Sequence, residues 1–171
     1  DYLSQDEMRL ILKTNSQQNL IVFDRLSELL IKSIHDDKHY QLFHETFHEY
    51  ITNNYGIDVM DAEQKILDYC LNWQSLQRYG ETYLRYPMHH LAVHLRDTND
   101  LSMLKKLVHD ELYINKQIQV TGQYTASFVL IEAYRTVAYK HHDEQSVIDA
   151  MIHLLNLNNQ LRSHELTFLM D

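Results

Sequence analysis

The sequence predicts a mainly α chain with a single β-hairpin near its start, and three observations carry that prediction. Of 171 residues only three are glycine (Gly56, Gly80, Gly122) and one is proline (Pro87), too few of the turn-forming residues for a many-stranded fold. Apolar residues recur at helical spacing over most of the chain. One short stretch departs from that spacing: Ile31-Lys32-Ser33-Ile34 and His39-Tyr40-Gln41-Leu42-Phe43 are strand-like and flank the polar turn Asp36-Asp37-Lys38.

Taken in order, Ser4-Gln5-Asp6-Glu7 reads as a capping box opening a short helix that runs to about Lys13. Asn15 or Ser16 caps a second helix, with Leu20, Phe23, Leu26, Leu29 and Leu30 on its apolar face. The hairpin follows. A helical period resumes near His44 and stops at Gly56. Two helices, a hairpin and a further helix resemble a winged helix, so residues 1–56 are expected to form a winged-helix-like domain. Residues 57–171 are expected to form an antiparallel helical bundle or α-solenoid. There Asp61 and Gln64 suggest a cap, followed by Ile66, Leu67, Tyr69, Cys70 and Trp73. Leu84, Met88, Leu91, Ala92 and Leu95 make the next apolar face, with Pro87 near a first turn or at a kink. Asn99 or Asp100 caps Leu101, Leu104, Leu107 and Val108.

The longest helix is expected over residues 123–140. Its two apolar stripes (Phe128, Ile131, Tyr134, Ala138 and Ala126, Leu130, Ala133, Val137) require packing on more than one side. Ile148, Met151, Ile152 and Leu155 form a cleaner single face, and a last helix is expected over residues 157–170. No strict repeat is visible, so any repetition is structural.

Composition limits function. The formal charge is −9, and basic residues cluster only briefly, as at Lys105-Lys106. Phosphate neutralisation supplies much of nucleic-acid affinity, so neither nucleic acid nor an anionic membrane surface is the expected partner. No apolar run approaches the roughly 18–20 residues of a membrane span. One cysteine, Cys70, forms no internal disulfide, and with no secretory leader read at the start this suits a cytoplasmic setting. The opening Asp-Tyr-Leu suggests a piece of a longer polypeptide.

The sharpest motif is His44-Glu45-Thr46-Phe47-His48, which satisfies the zinc-peptidase pattern H-E-x-x-H: two histidines one helical turn apart hold zinc and the glutamate is the base. Against it stand 12 histidines, which make chance matches easy, and Glu49 directly after the second. A third ligand is also needed; Glu63 and Glu81 offer carboxylates outside any second motif. A small zinc metallopeptidase using His44, His48 and Glu45 is therefore the alternative reading. His90 and His94 are one turn apart beside His89, but no Cys or carboxylate adjoins them, so packing or capping is expected. His141-His142-Asp143 marks a helix end, where the dipole favours histidine. No phosphate loop G-x-x-x-x-G-K-[ST] and no G-x-S-x-G elbow is present, and Cys70 carries no nucleophile signature.

The run Tyr40-Gln41-Leu42-Phe43-His44-Glu45-Thr46-Phe47-His48-Glu49-Tyr50 resembles the end of the winged-helix domain in STAND-type (NB-ARC/NACHT-like) signal-transduction NTPases, where a strand leads into a His-containing motif, M-H-D or H-x-S-F. Ile66-Leu67-Asp68-Tyr69-Cys70-Leu71 and then Tyr83-Leu84-Arg85-Tyr86-Pro87-Met88-His89-His90-Leu91-Ala92-Val93-His94-Leu95 look like the tyrosine-rich helical arm of that family, continued by Asp100-Leu101 through Leu107-Val108. The likeness covers roughly residues 1–120. It implies that His44 contacts the β-phosphate of ADP, which is reasonable for an imidazole at a helix N-terminus. Glu45 stands where the M-H-D version has Asp, and Phe43 where it has Met. The nucleotide-binding elements would lie upstream, so ADP or ATP belongs to a presumed parent protein, no cofactor is expected in this chain, and His44 fits a capping role equally well.

The expected function is thus a regulatory, protein-interaction segment of a STAND-type NTPase. It would couple nucleotide state to partner binding through a hinge near residues 54–61, without catalysis of its own. Its partner would be another protein or an upstream nucleotide-binding domain of the same polypeptide. A stand-alone helical scaffold that binds a protein or peptide is a further alternative.

Overall fold

The computed structural model describes residues 3–13, 15, 17, 30–32, 39–42, 59–122 and 124–168. These are mostly helical. By compactness the chain forms an N-terminal unit, Asp1–Tyr86, and a C-terminal unit, Pro87–Asp171. The domain boundary expected near residue 56 falls outside the described residues, as do the expected helices at 15–30 and 44–55, apart from single positions of the first.

In the N-terminal unit, β1 (Leu3–Ser4) leads directly into α1 (Gln5–Leu12). The capping box read from the sequence is formed. The Glu7 amide donates to Ser4 Oγ at 3.2 Å, and the Ser4 amide donates to Glu7 Oε2 at 2.8 Å. Lys13 ends α1 in the left-handed conformation, φ 53°. Extended segments β2 (Leu30–Lys32) and β3 (His39–Leu42) pair antiparallel, and β1 pairs with the other side of β3, giving the order β1-β3-β2.

Helix α2 (Val59–Leu71) begins two residues before the predicted cap. Asp61 sits inside its first turn and pairs with Lys65, while Gln64 reaches forward to Asp68 at 2.8 Å. The i, i+4 partners win over the capping geometry that the sequence suggested. A short helix α3 (Trp73–Leu76) and a 3₁₀ turn (Gln77–Tyr79) follow. They end at Gly80, whose φ of 111° admits no side chain without strain. Among the described residues, Ile11, Leu67, Tyr69, Cys70, Trp73, Leu76 and Leu84 are the buried apolar residues of this unit.

Helix α4 (Thr82–Asp97) carries Pro87 in its interior rather than in its first turn. Proline has no N–H, so the carbonyl of Tyr83, four residues earlier, loses its helical partner. The Tyr69 hydroxyl supplies the missing donor, at 3.1 Å.

The C-terminal unit contains the rest of α4 with α5 (Leu101–Val108), α6 (Glu111–Thr121), α7 (Thr125–Lys140) and α8 (Glu144–Phe168). Three aspartates open three of these helices. Asp100 accepts from Met103 N, Asp110 from Leu112 N and Tyr113 N, and Asp143 from Ser146 N. Two junctions repeat one device. Asn99 (φ 59°) and His142 (φ 55°) turn left-handed, and the following Asp amide bonds back to Leu95 O or Ala138 O. Polar residues in this conformation do the work of glycine, which is how so few glycines join so many helices.

Met88, Leu91, Ala92 and Leu95 of α4 are buried with Leu104, Leu107, Tyr113, Leu130, Tyr134, Val137 and Ala138. Gln117 lies buried among them; its Nε2 donates to Met88 O at 2.8 Å and its Oε1 accepts from Ser127 Oγ at 3.0 Å. Helix α6 fits the helical reading of residues 57–171, but the sequence singles out no apolar face for it; this glutamine interrupts its apolar period. The longest described helix is α8, 25 residues, rather than α7 with 16. The two C-terminal helices expected separately are one. No described helix is long and apolar enough to cross a membrane.

Candidate functional site

His44, Glu45 and His48 lie outside the described residues. The other residues singled out in the sequence are scattered. Glu63 and Glu81 are exposed. His89 and His90 sit on α4 with ring centroids 6.0 Å apart. Burial, reinforced by His89 and His94, pushes the His90 imidazole down to about 4, which keeps it neutral. His141 meets Asn99 at 2.7 Å and His142 makes the left-handed turn, so this run serves the α7–α8 junction. Cys70 is fully buried, and burial together with the nearby Glu7 carboxylate pushes its thiol well above the ordinary range. It is correspondingly unreactive as a nucleophile.

A different group comes together in the C-terminal unit. His109 is the C-cap residue of α5, and Asp149 and His153 are one turn apart on α8. Asp149 Oδ2 is 3.3 Å from His109 Nε2, Asp149 Oδ1 is 3.8 Å from His153 Nε2, and the two Nε2 atoms are 3.4 Å apart. The rings meet edge to face. His109 Nδ1 lies 2.8 Å from the Lys105 carbonyl. A carbonyl only accepts, so Nδ1 carries the proton, and the Nε2 of neutral His109 presents a lone pair. The Tyr134 hydroxyl donates to Asp149 Oδ2 at 3.0 Å. Burial lowers the pKa of His153, with Asp149 opposing and His109 adding to the shift. His153 also lines a cleft of about 600 Å³ with Glu111, Tyr124, Ser127, Asn156 and Gln160. Among the described residues this is the one group of three side chains with metal-ligand chemistry.

The sequence reading missed this triangle. The Asp149-x-x-x-His153 spacing was legible as a one-turn pair. His109 was not, because α6 and α7 intervene and only the packing of α5, α7 and α8 brings it close.

The second feature is a surface. Ile148, Met151, Ile152 and Leu155, read from the sequence as a single apolar face, are each at least 51% exposed. Helix α8 instead turns Ser146, Ala150 and Leu157 inward. Phe128 of α7, expected on a packed stripe, is also exposed. With Met151, Leu154, Leu155 and Leu161 it lines an apolar groove of about 460 Å³. Across residues 147–161 the one charged side chain is Asp149, which belongs to the triangle. Comparison of the chain with family models, with curated proteins and with solved structures returns no match.

Proposed function

We propose that the chain is a regulatory, protein-interaction segment that works by docking, in the manner of the winged-helix and helical-arm region of STAND-type NTPases, and that it performs no catalysis alone. The observation that carries the docking half is the uncharged apolar face of α8. Ile148, Met151, Ile152 and Leu155 fall at i, i+3, i+4 and i+7, the spacing of a helical recognition stripe. A solvated helix face ordinarily carries charge, and a contiguous apolar one marks an interaction site. The occupant that fits is the apolar side of another helix, since neither sign of charge is there to attract a charged partner. The signalling half rests on the ordered motifs of residues 40–108, with the winged-helix unit over residues 1–56 and His44 as its ADP-phosphate contact. The cytoplasm is the matching compartment.

The test joins both halves. The polypeptide encoded upstream of Asp1, if it carries a phosphate-binding loop, is supplied in trans, and its affinity for this chain is measured by calorimetry with ADP and with ATP. A nucleotide switch requires different affinities for the two states, and His44→Ala should narrow the difference. Equal affinities, or an upstream sequence without that loop, end the switch half. Met151→Glu combined with Leu155→Glu should weaken association at least tenfold without loss of helix; unchanged binding ends the docking half.

A further inference from the structure

We propose that His109, Asp149 and His153 form a binding site for a divalent transition-metal ion of the zinc class, with three protein ligands and an open fourth position.

The first argument is spacing. With metal–ligand bonds of about 2.0–2.1 Å, the corners of a tetrahedral zinc site lie roughly 3.3 Å apart. His109 Nε2 lies 3.4 Å from His153 Nε2 and 3.3 Å from Asp149 Oδ2, close to that spacing, while the other carboxylate oxygen, Oδ1, is the one 3.8 Å from His153; one ligand atom from each residue lies within 4.8 Å of the other two, so a small side-chain adjustment closes the site. The donor set, two imidazole nitrogens and one carboxylate, is one that zinc and neighbouring divalent ions accept.

The second argument is hydrogen-bond arithmetic. His109 gives its Nδ1 proton to Lys105 O. In that tautomer its Nε2 carries no proton, and it lies 3.3 Å from Asp149 Oδ2, which is itself an acceptor and already takes the Tyr134 hydroxyl. Two acceptors 3.3 Å apart need a positive charge shared between them, either a proton or a metal ion. A proton on His109 Nε2 serves one edge of the triangle. A metal ion serves all three.

The third argument is support. Metal-bound histidines commonly donate their other nitrogen to a backbone carbonyl, and bound carboxylates are themselves hydrogen-bonded. Lys105 O and the Tyr134 hydroxyl fill those two roles. The cleft beside His153 leaves space for water or a small ligand at the fourth position.

The experiment uses the full 171-residue chain, stripped with chelator and titrated with Zn²⁺ by calorimetry and with Co²⁺ by visible absorption. One equivalent should bind, Co²⁺ should give the intense bands of a tetrahedral site, and the melting temperature should rise with free Zn²⁺. Asp149→Asn and His153→Gln, which hold side-chain size, should lower affinity on the order of 100-fold, with helix content unchanged by circular dichroism. A His44→Ala/His48→Ala variant should bind as the parent does. The inference is overturned if the parent shows no stoichiometric Co²⁺ band, or if binding survives His153→Gln and vanishes with His44→Ala/His48→Ala. It is equally overturned if His109 titrates by NMR identically with and without excess Zn²⁺, which would show that a proton alone occupies the triangle.

Discussion

The Ser4–Glu7–Tyr69 knot of the N-terminal unit and the His109–Asp149–His153 triangle of the C-terminal unit start from the same material, a carboxylate drawn in among polar groups. They differ in what surrounds the carboxylate. Glu7 is buried and accepts from the Ser4 amide and, at 2.7 Å, the Ser4 hydroxyl, with the Tyr69 hydroxyl, which donates to Tyr83 O, 3.4 Å away. The Ser4 donors are fixed to it by the capping box. Asp149 is half-buried and among the described residues has one permanent donor, Tyr134. Its other neighbours are imidazoles whose charge depends on pH or on a bound ion. A sealed, satisfied carboxylate holds a fold together; an open one with facing lone pairs is available for chemistry.

Mutations should separate the two regions. Trp73, the chain's one tryptophan, is buried in the N-terminal unit, so its fluorescence reports that unit during urea unfolding. The largest effect is expected for Glu7→Ala, which removes the capping box and two buried acceptors. It should lower the stability read by Trp73 by about 2 kcal/mol. Tyr69→Phe comes next, at roughly 1.5 kcal/mol, because it orphans the Tyr83 carbonyl. In a Pro87→Ala background residue 87 regains an N–H, and the same substitution should cost about half as much; an unchanged cost would mean that the hydroxyl does not replace the missing helical bond.

Acidification acts on the C-terminal unit. The folded-state pKa values of His90 and His153 are lowered, so below the ordinary value near 6.5 the unfolded chain binds more protons. Stability should be full above about pH 6.5 and fall as pH drops toward 4. Partial exposure holds the loss to roughly 1 kcal/mol, and His90→Gln should flatten the circular-dichroism melting profile across that range. Smallest of all, Asp149→Asn without metal should change stability by no more than about 0.5 kcal/mol. A cost as large as that of Glu7→Ala would make the triangle a second structural knot and erase the contrast.

Local signals were legible in the sequence because they act over a few residues. The capping box and the buried face Leu84–Met88–Leu91–Ala92–Leu95 are as read, and the cap read at Asn99 or Asp100 is made by Asp100. Signals that depend on a distant partner were not. Periodicity identified an apolar stripe at Ile148–Met151–Ile152–Leu155 but could not say that α7 would pack against the other side of α8. Pro87 looked like a first turn or a kink because its remedy, Tyr69, lies on another helix. For the same reason the triangle stayed hidden while the local H-E-x-x-H pattern drew attention.

Cys70 ties these threads to a measurement. It is the chain's one cysteine, is fully sealed, and its thiol is held protonated by burial and by Glu7. An alkylating reagent can reach it only in molecules whose N-terminal unit has opened. Its labelling rate is therefore a stopwatch on that opening. Run with and without zinc, it would reveal whether an ion bound in the other half of the chain is felt here at all.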